Sequence, residues 1–173
     1  TFRDMNEAIM RSVIGVIRES NPTRPVVVGG DGWNAYDRLD ALDLPDDDRL
    51  VLTFHYYLPF NFTHQGAEWV DNMGRHLGTT WEGTEADRRA VGAHFETVAD
   101  AARAHRLPVL LGEFGAYSKA HIESRARWTA HVARTAEAYG YGWMYWEFRS
   151  GFGVFGGSGA GWNEPLLGAL LPD

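Results

Sequence analysis

At 173 residues, with 45% hydrophobic and 13% aromatic residues, the chain can bury one core, and its composition excludes both disorder and two full domains. A formal net charge of −7 argues against a phosphate-binding surface, which needs concentrated Lys and Arg, so nucleic acid is not an expected partner. The absence of cysteine excludes disulfides, thiol catalysis and zinc-thiolate sites, and no apolar run approaches the ~20 residues that span a bilayer, so no membrane partner is expected.

From Phe2 to Glu19, apolar residues recur at Met5, Ile9, Val13, Val16 and Ile17, which predicts a helix with one buried stripe, ended by Asn21-Pro22. The run VVVGG after Pro25 reads as a strand buried on both faces. AYDRLDALDL follows as a shorter helical piece. A second strand runs from Leu50 to Tyr57, LVLTFHYY. Thr84 and Asp87 form a predicted capping box before a helix whose Val91, Phe95, Val98 and Ala102 share a face. The third strand, Leu107 to Gly115, reads LPVLLGEFG. A helix from about Glu123 to Tyr139 groups Trp128, Val132 and Thr135 and stops at Gly140. The fourth strand, GWMYWEF, spans Gly142 to Phe148. No charged-then-apolar segment opens the sequence. Alternating strands and helices with continuous apolar strands predict the α/β class, a parallel sheet covered by helices.

Polar or aromatic residues stand at or just past the C-terminal end of every predicted strand: Asp31 and Trp33, then His55 and Tyr57, then Glu113, then Trp146 and Glu147. Parallel strands bring these ends to one face, where following loops carry function. Two longer insertions follow strands as well, Leu58 to Gly83 and the Gly-rich Arg149 to Gly161. A strand-end carboxylate beside His, Tyr and Trp suits carbohydrate chemistry, in which the carboxylate attacks, polar groups orient it and aromatic faces stack on sugar rings. Each residue also has a structural reading: Glu113 as an ion-pair partner, His55 as a hydrogen-bonded core histidine, the loop tryptophans as core. The seven histidines lack metal-ligand spacing, so no metal and no cofactor are expected.

FHYYLPFNFTHQGAEW, LLGEFGAY, and YWEFRSGFG followed by WNEPLLGALL resemble, in order and spacing, the C-terminal half of bacterial glycoside hydrolase family 5, the cellulase family of retaining β-glycanases. The resemblance implies that residues 1–173 are a single partial catalytic domain, the C-terminal half of a (β/α)8 TIM barrel, with strands five to eight and their helices. It implies Glu113 of GEFG as the nucleophile, with His55 and Tyr57 lining the cleft beside it, and Trp146 of YWEF as the sugar-stacking tryptophan. Trp33, Trp69 and Trp81 would extend that platform. The implied substrate is a β-1,4-glucan polysaccharide, or mannan in a β-mannanase relative, and a polymer that cannot enter a cell implies a secreted enzyme.

Retention needs two carboxylates about 5 Å apart. The family keeps its acid/base in an Asn-Glu-Pro motif on the fourth strand, whereas Asn163-Glu164-Pro165 lies after the nucleophile with no strand delivering it. Asn163 reads instead as a helix N-cap, with Glu164 and Pro165 in the first turn. The acid/base would come from the N-terminal half of the barrel, on the same chain or in a second copy, because a whole barrel needs roughly 250 residues. In a homodimer of half-barrels Glu147 would stand near the vacant position, although alternation after Trp146 points it away from the lumen. The alternative from another class is a non-catalytic carbohydrate-binding half-barrel.

Overall fold

The computed structural model describes residues 2–156 and 161–172, so residues 157–160 of the predicted Gly-rich loop lie outside the described residues. In chain order the elements are α1 (Phe2–Ser20), β1 (Val26–Gly29), the short α2 (Asp31–Asn34), a 3-10 turn (Tyr36–Arg38), β2 (Leu50–Tyr56), the short α3 (Phe60–Thr63), a 3-10 turn (Met73–His76), α4 (Glu85–His105), β3 (Val109–Phe114), α5 (Ile122–Ala138), β4 (Gly142–Trp143) and α6 (Glu164–Leu170). The strands form a four-stranded sheet in the order β1-β2-β3-β4, every neighbour parallel. Consecutive parallel neighbours joined through helices are half of a (β/α)8 barrel.

The alternation of β2 explains how core and cleft divide. Leu50, Leu52, Phe54 and Tyr56 are buried, while Val51, His55 and Tyr57 are only half-buried on the opposite face. Against the buried face pack Val91, Phe95 and Val98 of α4 with Trp128, Val132 and Ala136 of α5, all at helical spacing. Trp128 lies parallel to Tyr56, with ring centroids 6.2 Å apart, and its indole N–H donates to the Leu58 carbonyl at 2.9 Å. The capping box is present: the Asp87 amide donates to Thr84 Oγ1 at 3.2 Å and the Thr84 amide to Asp87 Oδ2 at 2.9 Å. Gly140, just past α5, takes φ of 74°, the left-handed stop that glycine provides freely.

Three elements depart from the sequence reading. In α1 the stripe expected to be buried is exposed at Met5, Ile9, Val13 and Val16. The helix seats on the core through Met10 and Ile14, a second apolar pair four residues apart, and ion pairs Arg11–Asp43 and Arg18–Asp47 pin it to the segment before β2. A four-stranded sheet covers only one of its two apolar faces. AYDRLDALDL makes one 3-10 turn rather than a helix, with Leu39 and Leu42 buried in irregular chain. Its aspartates compete with the backbone for hydrogen bonds, and Pro45 leaves too little length to propagate a helix. Finally, β4 pairs regularly only at Gly142 and Trp143, because it lies at the sheet edge with one neighbour. Its course continues through amides of Met144 and Trp146 that donate to Leu111 and Phe114 carbonyls at 2.9 Å, and the Trp146–Glu147 peptide is cis.

Candidate active site

An open cleft of about 1410 Å³ lies over the C-terminal ends of the strands. His55, Tyr57, Glu113, Trp146, Trp33 and Trp69 all line it. A break in regular register builds its centre. Phe54 pairs with Leu111 but His55 pairs with Glu113, so Gly112 is an extra residue in β3, a β-bulge. Without it Glu113 would share the buried face of Leu111; the bulge turns the carboxylate to the cleft and returns Phe114 to the core. The extra residue must be small. A Cβ on Gly112 would stand 2.5 Å from Thr53 Oγ1 and 3.3 Å from His55 Nε2.

At this rung the Tyr57 hydroxyl donates to Glu113 Oε2 at 3.0 Å, and His55 Nδ1 lies 3.3 Å from the same oxygen. Burial, followed by the Glu113 charge and hydrogen bond, raises the Tyr57 phenol far above its ordinary value, so the hydroxyl keeps its proton and acts as a donor. Burial lowers the proton affinity of His55 more than Glu113 raises it, which favours the neutral ring. Both contacts fall on Oε2, so neither Tyr57 nor His55 engages Oε1.

The tryptophans divide. Trp33 is 91% exposed at the cleft rim, Trp69 stands edge-on to Tyr117 at 4.8 Å, and Trp146 is partly exposed beside Gly115. Trp81 is a correction: at 2% exposure it is core, stacked on His131 at 5.6 Å, with its carbonyl accepting from Arg127 at 2.8 Å. Its amide donates to Ser124 Oγ of α5 at 3.3 Å, and it is not among the residues that line the cleft. Glu147 also corrects the expectation from alternation, since it lines the cleft. Glu164 opens α6, exposed and outside the cleft lining. Asn163 occupies the N-cap position with Pro165 in the first turn, but its side chain makes no capping hydrogen bond; its amide donates to the Val154 carbonyl at 2.7 Å.

Two neighbours of the site were not singled out from sequence. Asn34 Nδ2 lies 3.2 Å from His55 Nε2. His64 packs face-on to Phe60 at 4.0 Å and edge-on to Tyr57 at 5.0 Å, and burial pulls its imidazole down to about 4. The signal for Asn34 was its place in DGWN directly after a strand, where Asn is the side chain best suited to positive φ. His64 carried none beyond its position in the first insertion. Among the described residues, no group of three or more His, Asp or Glu side chains could hold a metal ion.

Known proteins share this architecture. A family model described as cellulase, glycosyl hydrolase family 5, matches residues 3–151. Endoglucanase H of Acetivibrio thermocellus is 36% identical over 153 residues, covering 88% of this chain and 15% of that protein. A solved endoglucanase superposes with a TM-score of 0.94 at 43% identity, over 99% of this chain and 55% of that one. Cel5A of Thermotoga maritima, solved with cellobiose and also with mannotriose, gives 0.93 at 36% identity, over 98% of this chain and 55% of its own. The chain therefore spans about half the length of the solved relatives it matches. With a parallel half-barrel, a strand-end carboxylate in an aromatic cleft and a family match over most of its length, the chain belongs to glycoside hydrolase family 5.

Proposed function

We propose that this chain is the nucleophile-bearing half of a retaining endo-β-1,4-glucanase. The observation that carries the reading is the Glu113 carboxylate at the end of β3, held on one oxygen by Tyr57 and His55 inside an aromatic-lined cleft. In the reaction, Glu113 Oε1 bonds to the anomeric carbon as the bond from that carbon to the leaving glycosidic oxygen breaks, and a second carboxylic acid protonates that oxygen. Water then attacks the glycosyl-enzyme ester, gives its proton to the second carboxylate and frees Glu113. Tyr57 and His55 hold the carboxylate oriented, while Trp146, Trp33 and Trp69 offer faces for sugar rings. The second carboxylate belongs to the N-terminal half of the barrel, on the same polypeptide or a second copy. Relatives named as endoglucanases support β-1,4-glucan as substrate, and the Thermotoga maritima relative solved with mannotriose supports β-mannan as a second. A polymeric substrate places such an enzyme outside the cell.

The test uses the protein with its complete barrel and a 2-deoxy-2-fluoro cellobioside bearing a good leaving group, which slows breakdown of the ester. Mass spectrometry of the peptides should find the sugar on Glu113, and Glu113→Gln should lower glucan hydrolysis by about 10³-fold or more while glucan binding survives. Hydrolysis unchanged in Glu113→Gln, or label on another residue, would overturn the assignment. A wild-type protein that binds glucan but never cleaves it would establish the non-catalytic reading.

A further inference from the structure

The segment after β1 takes an unusual path. Gly32, Trp33 and Asn34 follow one another with φ of 64°, 58° and 57°. Glycine adopts this region freely and asparagine tolerates it, but for tryptophan it costs about 1–3 kcal/mol unless its surroundings hold it. What the path achieves is the seating of Asn34. Its amide lies so close over β1 that a Cβ on Gly29 would meet Asn34 Oδ1 at 2.2 Å, and its Nδ2 reaches His55 Nε2 at 3.2 Å.

The protons on the imidazole then follow from what faces each nitrogen. Nδ1 faces Glu113 Oε2, and an ionised carboxylate can only accept, so Nδ1 carries the hydrogen. Nε2 faces an amide NH2, which can only donate, so Nε2 presents its lone pair. We infer that Asn34 is a positioning residue, which locks His55 in the neutral Nδ1–H tautomer so that the ring turns its N–H toward Glu113. A protonated ring would set its Nε2 hydrogen against the amide hydrogens, so Asn34 opposes protonation. Burial acts in the same direction; Glu113, from β3, is the charged group that acts against it. A neutral donor aligns the carboxylate without placing a cation beside it, which would draw electron density from the attacking oxygen. This catalytic consequence rests on the reading of Glu113 as nucleophile; the tautomer does not.

Asn34→Asp and Asn34→Gly both tolerate the left-handed backbone, so neither substitution fails for reasons of chain geometry. The experiment is ¹⁵N NMR of His55 across pH in the complete protein and both variants, alongside hydrolysis. The expected result is an unprotonated Nε2 and hydrogen-bearing Nδ1 in the parent. Asn34→Asp should move hydrogen onto Nε2 and raise the ring's proton affinity tenfold or more. Asn34→Gly should leave a mixture of tautomers. In both, kcat should fall with KM little changed. The same Nδ1–H tautomer and the same titration in all three proteins would overturn the inference. If instead the tautomer shifts as expected while Glu113→Gln still hydrolyses glucan, the role of Asn34 stands and the nucleophile assignment alone falls.

Discussion

A side chain's accessibility decides what its removal does, and the tryptophans separate on that ground. Trp81→Ala should empty a core site, costing about 3–5 kcal/mol and lowering Tm by roughly 10 °C, with glucan affinity per folded molecule unchanged. Trp33→Ala should leave Tm in place and weaken glucan binding by about fivefold or more, since only an exposed ring is lost. Thermal scans and binding isotherms on the two variants check the pair. Glu113, His55 and Tyr57 were legible because strand alternation and strand-end position are local properties. Trp81 was not, because a loop tryptophan reads alike whether its ring faces the cleft or the core. Asn34 needed three successive left-handed residues to reach His55, a path no periodicity announces.

At the level of elements, the bulge in β3 is the hinge between pattern and site. Gly112→Ala adds a methyl 2.5 Å from Thr53 Oγ1, whose hydroxyl donates to the Leu110 carbonyl at 3.1 Å. The substitution should cost roughly 1–3 kcal/mol and cut hydrolysis tenfold or more by displacing Thr53 and His55. Thr53→Ala in the same protein removes the obstructing oxygen, so the double variant should recover part of both losses; denaturant titration and rates on all four proteins close the cycle. The long helices were legible, α4 at its capped start and α5 to within a residue at each end, since their apolar faces pack on the core. α1 departs from its sequence pattern because it carries two apolar faces and the fold covers the less obvious one. β4 is shorter than its apolar run because regular register with β3 stops at Trp143, although the amides of Met144 and Trp146 still reach β3 carbonyls.

For the molecule as a whole, buried histidines govern the acid side of stability. His64, held near 4 when folded against 6.5 when unfolded, binds fewer protons in the native state throughout that interval. Stability from this group is therefore complete above pH 6.5 and is lost as pH falls toward 4, amounting to roughly 3 kcal/mol at the bottom of the window. His55, His94 and His131 are depressed by burial too and act with the same sign. Tm measured from pH 7 to pH 4 should fall, and His64→Gln should flatten the slope; an unchanged slope would assign the acid sensitivity to other groups. The sheet order β1-β2-β3-β4 has one further consequence, which concerns exchange with solvent deuterium. β2 and β3 have partners on both sides, so their amides should open only with large unfolding events. β1 and β4 each leave one row of backbone groups unpaired by this sheet, and those amides should exchange orders of magnitude sooner unless the remaining half of a barrel is seated against them. Deuterium uptake at the two outer strands is thus a clock for barrel closure, slow when the eight-stranded ring is complete and fast whenever it opens.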